Sequence, residues 1–550
     1  MDQRSELLYR HAFGWIAGIT CAGMIFLSWG YGIIWDEWIQ SQYGKLVFRF
    51  LISGGTAREC LTFGETMYLY GGLFDTITVV VYGLFSGGLR ALAYSSHLKD
   101  LVLPYYFETR HVINALFGFT AILFTGLLGK ELRSWRTGLL SLLFILLSPR
   151  FFGNSMNNPK DIPFAMAYVM SLYAMIRYFK SWPTPKISSI LFLIFSIALA
   201  INIKVGGVML IGYLFLFALG LNGLGIFAKG KIEAPFRFLL SLIGISLAAY
   251  LGGLLFWPYG LLDPIHHPLQ ALSALSFFSG AKGSLLFEGR MIPFDKIPWY
   301  YLPKWIFISV PLYIHLGLAA LLLFFFRIRR SQNPRYLGML LFAMLFPPIY
   351  AIAKHSILYD SWRHFIFIYP PMVVLAAMAW DSLWDWVHNR KTKILLGAIL
   401  AMTLLEPAAW MIRWHPHEYI YFNPCVGGLK GAYGQYETDY WGNSLRMASE
   451  WLSRDYKRKG GPHPMRVRAD GELISSGYYL ARDLGSSYVP SPRNDPNWDF
   501  GLSLSRWVEP QDLRTGTWPP LSTIYKVEAD GVTLCAVIKN PLKKITPRAL

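Results

Sequence analysis

Asp36 and Glu37 stand side by side in Ile34-Trp35-Asp36-Glu37-Trp38, directly after an apolar run. A carboxylate in a partly dry cleft has the chemistry of a general base, its proton affinity set by its surroundings. The flanking tryptophans equally suit a membrane interface with the two acids merely solvated, and the pair alone does not say which acid would act. A second polar group, with Asn154, Asn157, Asn158, Lys160 and Asp161, closes the segment from Arg150 to Asp161. Asn-Asn-Pro is turn chemistry, and Asp161 with Pro163 behind it suits a helix start. The alternative is that Asn158 and Asp161 bind sugar hydroxyls or position the base. Lys204, in Asn202-Ile-Lys204-Val-Gly-Gly207, is a cation at the end of an apolar run. It either snorkels or offers a point charge to a phosphate, with Gly206 and Gly207 allowing close backbone approach. The densest set is Lys354, His355, Tyr359, Asp360, Arg363 and His364. Asp360 and Arg363 at i,i+3 spacing would brace a helix start. In the functional reading Arg363 gives forked donors to a phosphate and Asp360 orients it, with Tyr359 and His364 among the groups that hold substrate.

Together these groups suit transfer from a lipid-linked phosphate. Displacing a prenyl phosphate from a sugar's anomeric carbon leaves an extra negative charge on the phosphate, and cations placed there stabilise it as it develops. A carboxylate on the opposite face takes the proton of the incoming hydroxyl, and a single displacement inverts the anomeric centre. Lys and Arg can supply the positive charge, so no metal is required, though a divalent ion is not excluded and no other cofactor is implied. Cys21, Cys60, Cys425 and Cys535 form no CxxC and have no His partner at ligand spacing, which implies neither zinc nor a disulfide framework.

The elements that must position these residues are membrane helices. Of 550 residues 54% are hydrophobic and 15% charged, and the mean hydropathy is +0.36, where a soluble domain carries about 25% charge. The net charge of +18 would suggest nucleic acid in a soluble protein, but Lys and Arg here sit in short loops between apolar runs, the signature of topology. Eleven runs suit spanning helices: 13–34, 111–129, 137–151, 162–179, 188–203, 205–228, 238–257, 305–326, 337–353, 364–380 and 394–412. The loops carrying Lys130, Arg133 and Arg136, then Arg177, Lys180 and Lys186, then Lys229, Lys231 and Arg237, then Arg327, Arg329, Arg330 and Arg335, and last Arg390, Lys391 and Lys393 alternate with less basic ones. That alternation predicts a cytoplasmic N-terminus and an extracytoplasmic tail, and it gathers the unusual polar residues on the outer side.

Parity requires residues 67–110 to cross an even number of times, so either 67–87 pairs with a partner run, 88–107, in a hairpin, or 67–87 is a peripheral or re-entrant helix, and the second is expected. Glu65, Asp75, Glu108, Arg110 and His111 would then line the same outer cavity. The tail, 413–550, is expected as a small α/β domain. It would hold a helix over Asn443–Arg454 capped by Asn443 or Ser444, and strand-like stretches at Met465–Leu480 and Ser522–Ile538. The absence of any Asn-x-Ser/Thr sequon leans away from a heavily glycosylated eukaryotic protein.

The motifs Trp35-Asp36-Glu37, Ser148-Pro149-Arg150-Phe151 with Asn158-Pro159-Lys160-Asp161, Trp299 to Trp305, Tyr359 to Phe365, Tyr421 to Tyr433 and Asp439 to Asn443 lie in a suggestive order. In that order the chain resembles the GT-C polyprenyl-phosphate-sugar glycosyltransferases, particularly the protein O-mannosyltransferase-like group (glycosyltransferase family 39-like). The resemblance implies a mainly α fold, a polytopic bundle of about 11–13 spans over residues 1–412. Juxtamembrane helices would lie in the first outer loop, 35–110, a further outer loop would span 258–304, and the extracytoplasmic α/β domain would follow. It implies Asp36 as the base with Glu37 as its neighbour, Asp161 as the acid of the second outer loop, and Lys204 and Arg363 near the donor phosphate. The implied partners are a polyprenyl-phosphate sugar, an acceptor protein, lipid or envelope glycan, and the bilayer, in a bacterial inner membrane, with no nucleic acid. The chain departs from the eukaryotic mannosyltransferases in having no His-Pro-Pro after the first loop and no β-trefoil insertion in 258–304. The rival classes are a transporter or lipid flippase, which would place polar residues at mid-membrane depth in matched halves, and a non-catalytic scaffold.

Overall fold

The structure, a computed structural model, describes residues 3–86, 105–220, 233–277, 283–331, 333–461, 463–471 and 473–542. α1 (Gln3–Ser28) leads through a tight turn to α2 (Trp35–Ile52) and α3 (Leu73–Phe85). α4 (Tyr106–Leu132) precedes a bent pair, α5 (Trp135–Leu146) and α6 (Pro149–Asn157), inclined at 68°, and then α7 (Asp161–Ser181). α8 (Ile187–Ile201) and α9 (Met209–Ala218) flank the Lys204 turn, and α10 (Glu233–Leu254) packs on α8. A second bent pair, α11 (Tyr301–Ser309) and α12 (Leu312–Leu323), turns through 116° before α13 (Pro334–Ala353), α14 (Tyr369–Trp386) and α15 (Arg390–Trp414).

Seven helices among the described residues are long and apolar enough to cross a bilayer, and the two bent pairs bring the number to nine. The chain is a multi-pass membrane protein. Each of the eleven apolar runs falls on a helix, although 205–228 is described only as far as residue 220, and α8 and the Val205–Ala218 stretch are shorter than a full span. The 67–87 run forms α3, whose 13 residues reach about 20 Å against the roughly 30 Å of a hydrocarbon core. The stretch 88–104 of its proposed partner run lies outside the described residues.

Burial separates the bundle's centre from its rim. In α7 and α14 94% of the apolar stretch is buried, against 28% in α1 and 17% in α15. The outer helices thus present apolar faces that only lipid suits. Pro347 removes the hydrogen bond that Ala343 would accept within α13, and the Tyr168 hydroxyl of α7 takes that carbonyl instead, at 2.7 Å. At one end of the bundle Arg133 bridges Asp381 at 2.7 Å and Asp385 at 2.6 Å, and Arg136 bonds the same two carboxylates. The polar groups singled out by type and spacing lie at the opposite end of α4 and α14.

The 258–304 segment contains short helices and a hairpin of β1 (Ser284–Phe287) and β2 (Arg290–Pro293). In the tail α16 (Leu445–Arg458) buries Leu445, Ala448 and Leu452 along one face. Ser444 is its N-cap residue, one of the two expected, but neither its side chain nor that of Asn443 supplies the capping bond. The Asp439 carboxylate does so, accepting from the Asn443 and Ser444 amides at 3.0 and 3.2 Å. Met465–Leu480 is not one strand. Only β3 (Met465–Ala469) is extended, and α17 (Leu473–Leu484) follows, because Ile474 and Tyr478, one turn apart, lie on a helical face that packs on Phe107 and Tyr82. β4 (Tyr488–Pro490) and β5 (Phe500–Leu504) pair parallel to β3, while β6 (Thr523–Ala529) and β7 (Val532–Lys539) form a hairpin turned at Asp530-Gly531, both at positive φ. The sheet order is β4-β3-β5-β7-β6. All four cysteines are free thiols, Cys425 exposed and Cys535 buried.

Candidate functional site

The turn between α1 and α2 is fixed by parts of the chain remote from it. The Asn443 Oδ1 accepts from the Gly32 amide at 2.7 Å, Asn157 Nδ2 donates to the Gly32 carbonyl at 2.9 Å, and the Ile33 amide donates to the Tyr479 hydroxyl at 3.1 Å. Trp35 Nε1 donates to the Tyr440 carbonyl at 2.6 Å. Gly471, at φ +81°, has no room for a Cβ beside the Trp35 ring. This clamp sets the first turn of α2 and so the direction of Asp36.

The two adjacent acids diverge. Asp36 Oδ2 meets Arg363 Nη1 at 3.1 Å and leaves 35% of its side chain exposed. Glu37 is buried; it accepts from its own N-cap amide, of Ile34, at 3.1 Å, and lies 3.1 Å from His111 Nε2 and 3.8 Å from Arg110 Nε. Arg110 also donates to Asp75 at 2.8 Å and Thr78 at 3.0 Å. Asp75, Arg110 and His111 therefore share a buried network with Glu37 that ties α2, α3 and α4 together. Glu108 faces the tail, accepting from the Tyr478 hydroxyl at 2.8 Å, and Glu65 is exposed. These five residues do not line one cavity as expected, because the buried carboxylates are consumed in joining helices.

Arg363 gathers the candidates. Its Nη1 is also 3.5 Å from Asp161 Oδ2, and its Nη2 is 3.2 Å from Asp360 Oδ2. Asp161 forms an ion pair with Lys204 and accepts from Asn158 Nδ2 at 2.9 Å, while Asn158 Oδ1 takes the Asp161 amide at 3.0 Å. Asn158, not Asp161, thus caps α7, which frees the Asp161 carboxylate for the cations. Lys204 is held by its turn: Asn202 bonds Gly252 and Phe256 of the α10 end, and a Cβ on Gly207 would meet the Ala200 backbone at 2.6 Å. Gly207 therefore serves chain packing, while Gly206 has open space around it, with only Phe164 at 4.0 Å. Asp360 and Ser361 both adopt positive φ, +53° and +65°, so the i,i+3 pair with Arg363 belongs to a tight turn and not to a helix start. Two consecutive non-glycine residues in that region store local strain, common where side chains must be aimed.

A cavity of about 490 Å³ opens beside this cluster. Its walls are mostly apolar, from Phe164, Met209, Leu272, Leu275, Phe346 and Tyr350, and Tyr70, Lys204, Tyr359 and His364 line it as polar or aromatic groups. Tyr359 stacks between Phe294 and the edge of His364, at 5.3 and 4.8 Å between ring centroids. The structure thus brings Asp36, Asn158, Asp161, Lys204, Tyr359, Arg363 and His364 together and sets Glu37 apart.

Three further groups were not legible as site residues. Arg506, from the tail, meets Asp360 at 2.9 Å and Glu437 at 3.3 Å. No motif announces Arg506 or Glu437; only the tail's return to the bundle places them. The third is Lys160, visible in Asn158-Pro159-Lys160-Asp161 but buried, 4.2 Å from the Tyr70 ring centroid, with no hydrogen-bond partner for Nζ among the described residues. Burial, opposed by Arg363, leaves the Asp36 carboxyl above its ordinary value. Burial also raises Asp360, but Arg506 and Arg363 outweigh it and hold that carboxyl low. Glu437 is pushed up to about 7 by burial against the pull of Arg506. Burial lowers Lys160 to about 8. Among the described residues no three His, Cys, Asp or Glu side chains come together as metal ligands.

Residues 109–250 match the family model described as dolichyl-phosphate-mannose-protein mannosyltransferase. That stretch contains Asn158, Lys160, Asp161 and Lys204 but neither Asp36 nor Arg363. No curated protein matches the chain. Among solved structures, the archaeal oligosaccharyltransferase AglB from Archaeoglobus fulgidus, in complex with an inhibitory peptide and a dolichol-phosphate, aligns at 12% identity and a TM-score of 0.50, over 91% of this chain and 70% of its own. The chain shares the fold of this membrane oligosaccharyltransferase, which is GT-C-like. ArnT from Cupriavidus metallidurans bound to undecaprenyl phosphate aligns over 98% of this chain and 99% of its own, at 13% identity and a TM-score of 0.48. Within this GT-C fold the clustered polar residues and the apolar cavity meet at one end of the bundle, opposite the Arg133–Asp381 clamp.

Proposed function

We propose that the chain is an inverting glycosyltransferase that moves a sugar from a polyprenyl-phosphate donor to an acceptor hydroxyl at the extracytoplasmic face of a bacterial inner membrane. The observation that carries this reading is Arg363, shared by Asp36 and Asp161 beside an apolar cavity that Lys204 lines. The cavity suits the first isoprene units of the donor. Lys204 and Arg363 suit its phosphate, one as a point charge and the other as a fork. Asn158, Asp161, Tyr359 and His364 suit the sugar and its immediate surroundings.

Asp36, with its open face, takes the proton as the acceptor oxygen bonds to the anomeric carbon. The bond from that carbon to the phosphate oxygen breaks, and its electron pair leaves on the phosphate. Glu37 is excluded as the base in this reading because its oxygens are spent on Ile34, His111 and Arg110. The donor is the only small molecule the reaction needs. The family model matched by 109–250 puts mannose first among the sugars to try; protein, lipid and envelope glycan remain the acceptor classes.

The test is consumption of labelled polyprenyl-phosphate sugars by native membranes containing wild type or Asp36→Asn. Loss of one donor with wild type alone is the expected result. Equal consumption by both, or by neither with both proteins folded, overturns the assignment and favours a transporter.

A further inference from the structure

Of the cations near Asp36, most are already matched. Arg363 is divided among Asp36, Asp161 and Asp360, Lys204 is paired with Asp161, and Arg506 lies between Asp360 and Glu437. Lys160 is not. The residue is 8% exposed, its Nζ has no hydrogen-bond partner among the described residues, and it rests over the Tyr70 ring at 4.2 Å with Tyr43 at 5.9 Å. Tyr70 is itself part of the cavity wall. Asp75, Asp36 and Asp161 act on Lys160 only at longer range, so its N–H donors are unmet, a costly state for a buried ammonium that an arriving anion relieves.

We infer that Lys160 receives the phosphate of the departing polyprenyl monophosphate, a role that rests on the glycosyltransferase reading above. The donor is a phosphodiester with one negative charge. When the anomeric carbon–oxygen bond breaks, the electron pair stays on the phosphate and the acceptor proton goes to Asp36, so the phosphate gains a second charge. Lys204 and Arg363 already share their charge with Asp161 and Asp36 before the donor binds. Lys160 alone of the three is in no ion pair among the described residues, so it bonds the phosphate without giving up a contact, and that bond strengthens as the phosphate changes from one charge to two. Such an interaction stabilises the transition state and product more than the bound donor, which raises turnover.

The test compares binding of farnesyl phosphate with that of its methyl ester, which lacks the second charge, to purified full-length protein. Lys160→Gln is expected to weaken the monoester by about 10- to 100-fold, the equivalent of one charge-assisted hydrogen bond, and to leave the methyl ester within a few fold. Lys160→Arg restores the difference. Equal weakening of both ligands marks a merely structural lysine and overturns the inference, as does wild-type behaviour of Lys160→Gln while Lys204→Gln loses both ligands. Failure of wild type to bind either compound overturns the glycosyltransferase reading instead.

Should Lys160→Gln not fold, the wild type carries the test alone. The groups facing Lys160 are Asp36 and Tyr43 of α2, Tyr70, Asp75 of α3, Asp161 of α7 and Lys204. Its ammonium is lost near pH 8 in the empty site, so the preference for monoester over methyl ester falls as pH rises above that value. A preference unchanged up to pH 10 overturns the inference.

Discussion

Asp36 keeps 35% of its side chain open and has one cationic partner, Arg363, whereas Glu37 is enclosed between α2 and α4 with every contact structural. Adjacent residues at the start of a helix point about 100° apart, so only one of the two can face the cleft. Asp36→Asn keeps the shape and removes the proposed proton acceptor. Its expected effect is a loss of transfer of about 10²- to 10⁴-fold with an unchanged melting temperature, measured by donor turnover and thermal unfolding in detergent. Because burial raises the Asp36 carboxyl against the pull of Arg363, the proposed base is lost by protonation at a higher pH than an ordinary aspartate. kcat/KM should therefore rise with pH along an acid limb that lies higher than an ordinary aspartate would give, and a rate flat through the acid range would remove Asp36 from the base role. Asp36 was singled out from its place after the first apolar run; the choice between it and Glu37 needed the position of Arg110, far along the chain.

Arg110 on α4 joins α2 and α3 by neutralising Glu37 and Asp75, both buried. Removing one member of such a network strands the others, at a typical cost of about 3–5 kcal/mol. Arg110→Met is expected to lower the thermal midpoint sharply, with partial recovery when Asp75→Asn is added, as read by unfolding in detergent. The apolar helical runs follow from hydropathy, although α8 and the Val205–Ala218 stretch fall short of full spans. The bend between α5 and α6 does not, although Ser148-Pro149 marks it: proline suits a first turn but does not say that the next turn leaves the axis by 68°. Likewise the strand-like reading of 465–480 failed because a β-rich tyrosine pattern and a helical face at Ile474 and Tyr478 differ only in which neighbours receive them.

On the scale of the whole molecule, the tail completes the site. Arg506 and Glu437 reach Asp360, and Asn443, Tyr440 and Tyr479 hold the turn before Asp36. The Glu437 carboxyl, raised to about 7, binds its proton more tightly in the folded state than in the unfolded chain. Its contribution to stability is complete below the ordinary Glu range near 4.5 and is lost as pH rises through about 7. Glu437→Gln should flatten the decline of melting temperature across that window. Topology has its own probe in Cys425, exposed while Cys60 and Cys535 are buried. A membrane-impermeant maleimide added to intact cells is expected to label Cys425 if the tail is extracytoplasmic, and labelling only after permeabilisation would reverse the orientation.

By itself the sequence determined that this is a membrane-embedded helical protein, where its apolar runs lie, and that polar chemistry collects between them. Hydropathy and charge act locally along a chain, and transferring a helix into lipid depends on its own composition before any partner is met. The tertiary structure decided which of two adjacent acids faces the cleft, which cations are already paired, and that Arg506 and Glu437 belong to the site at all. Those outcomes depend on long-range contacts between side chains hundreds of residues apart, for which neither spacing nor composition carries a signal.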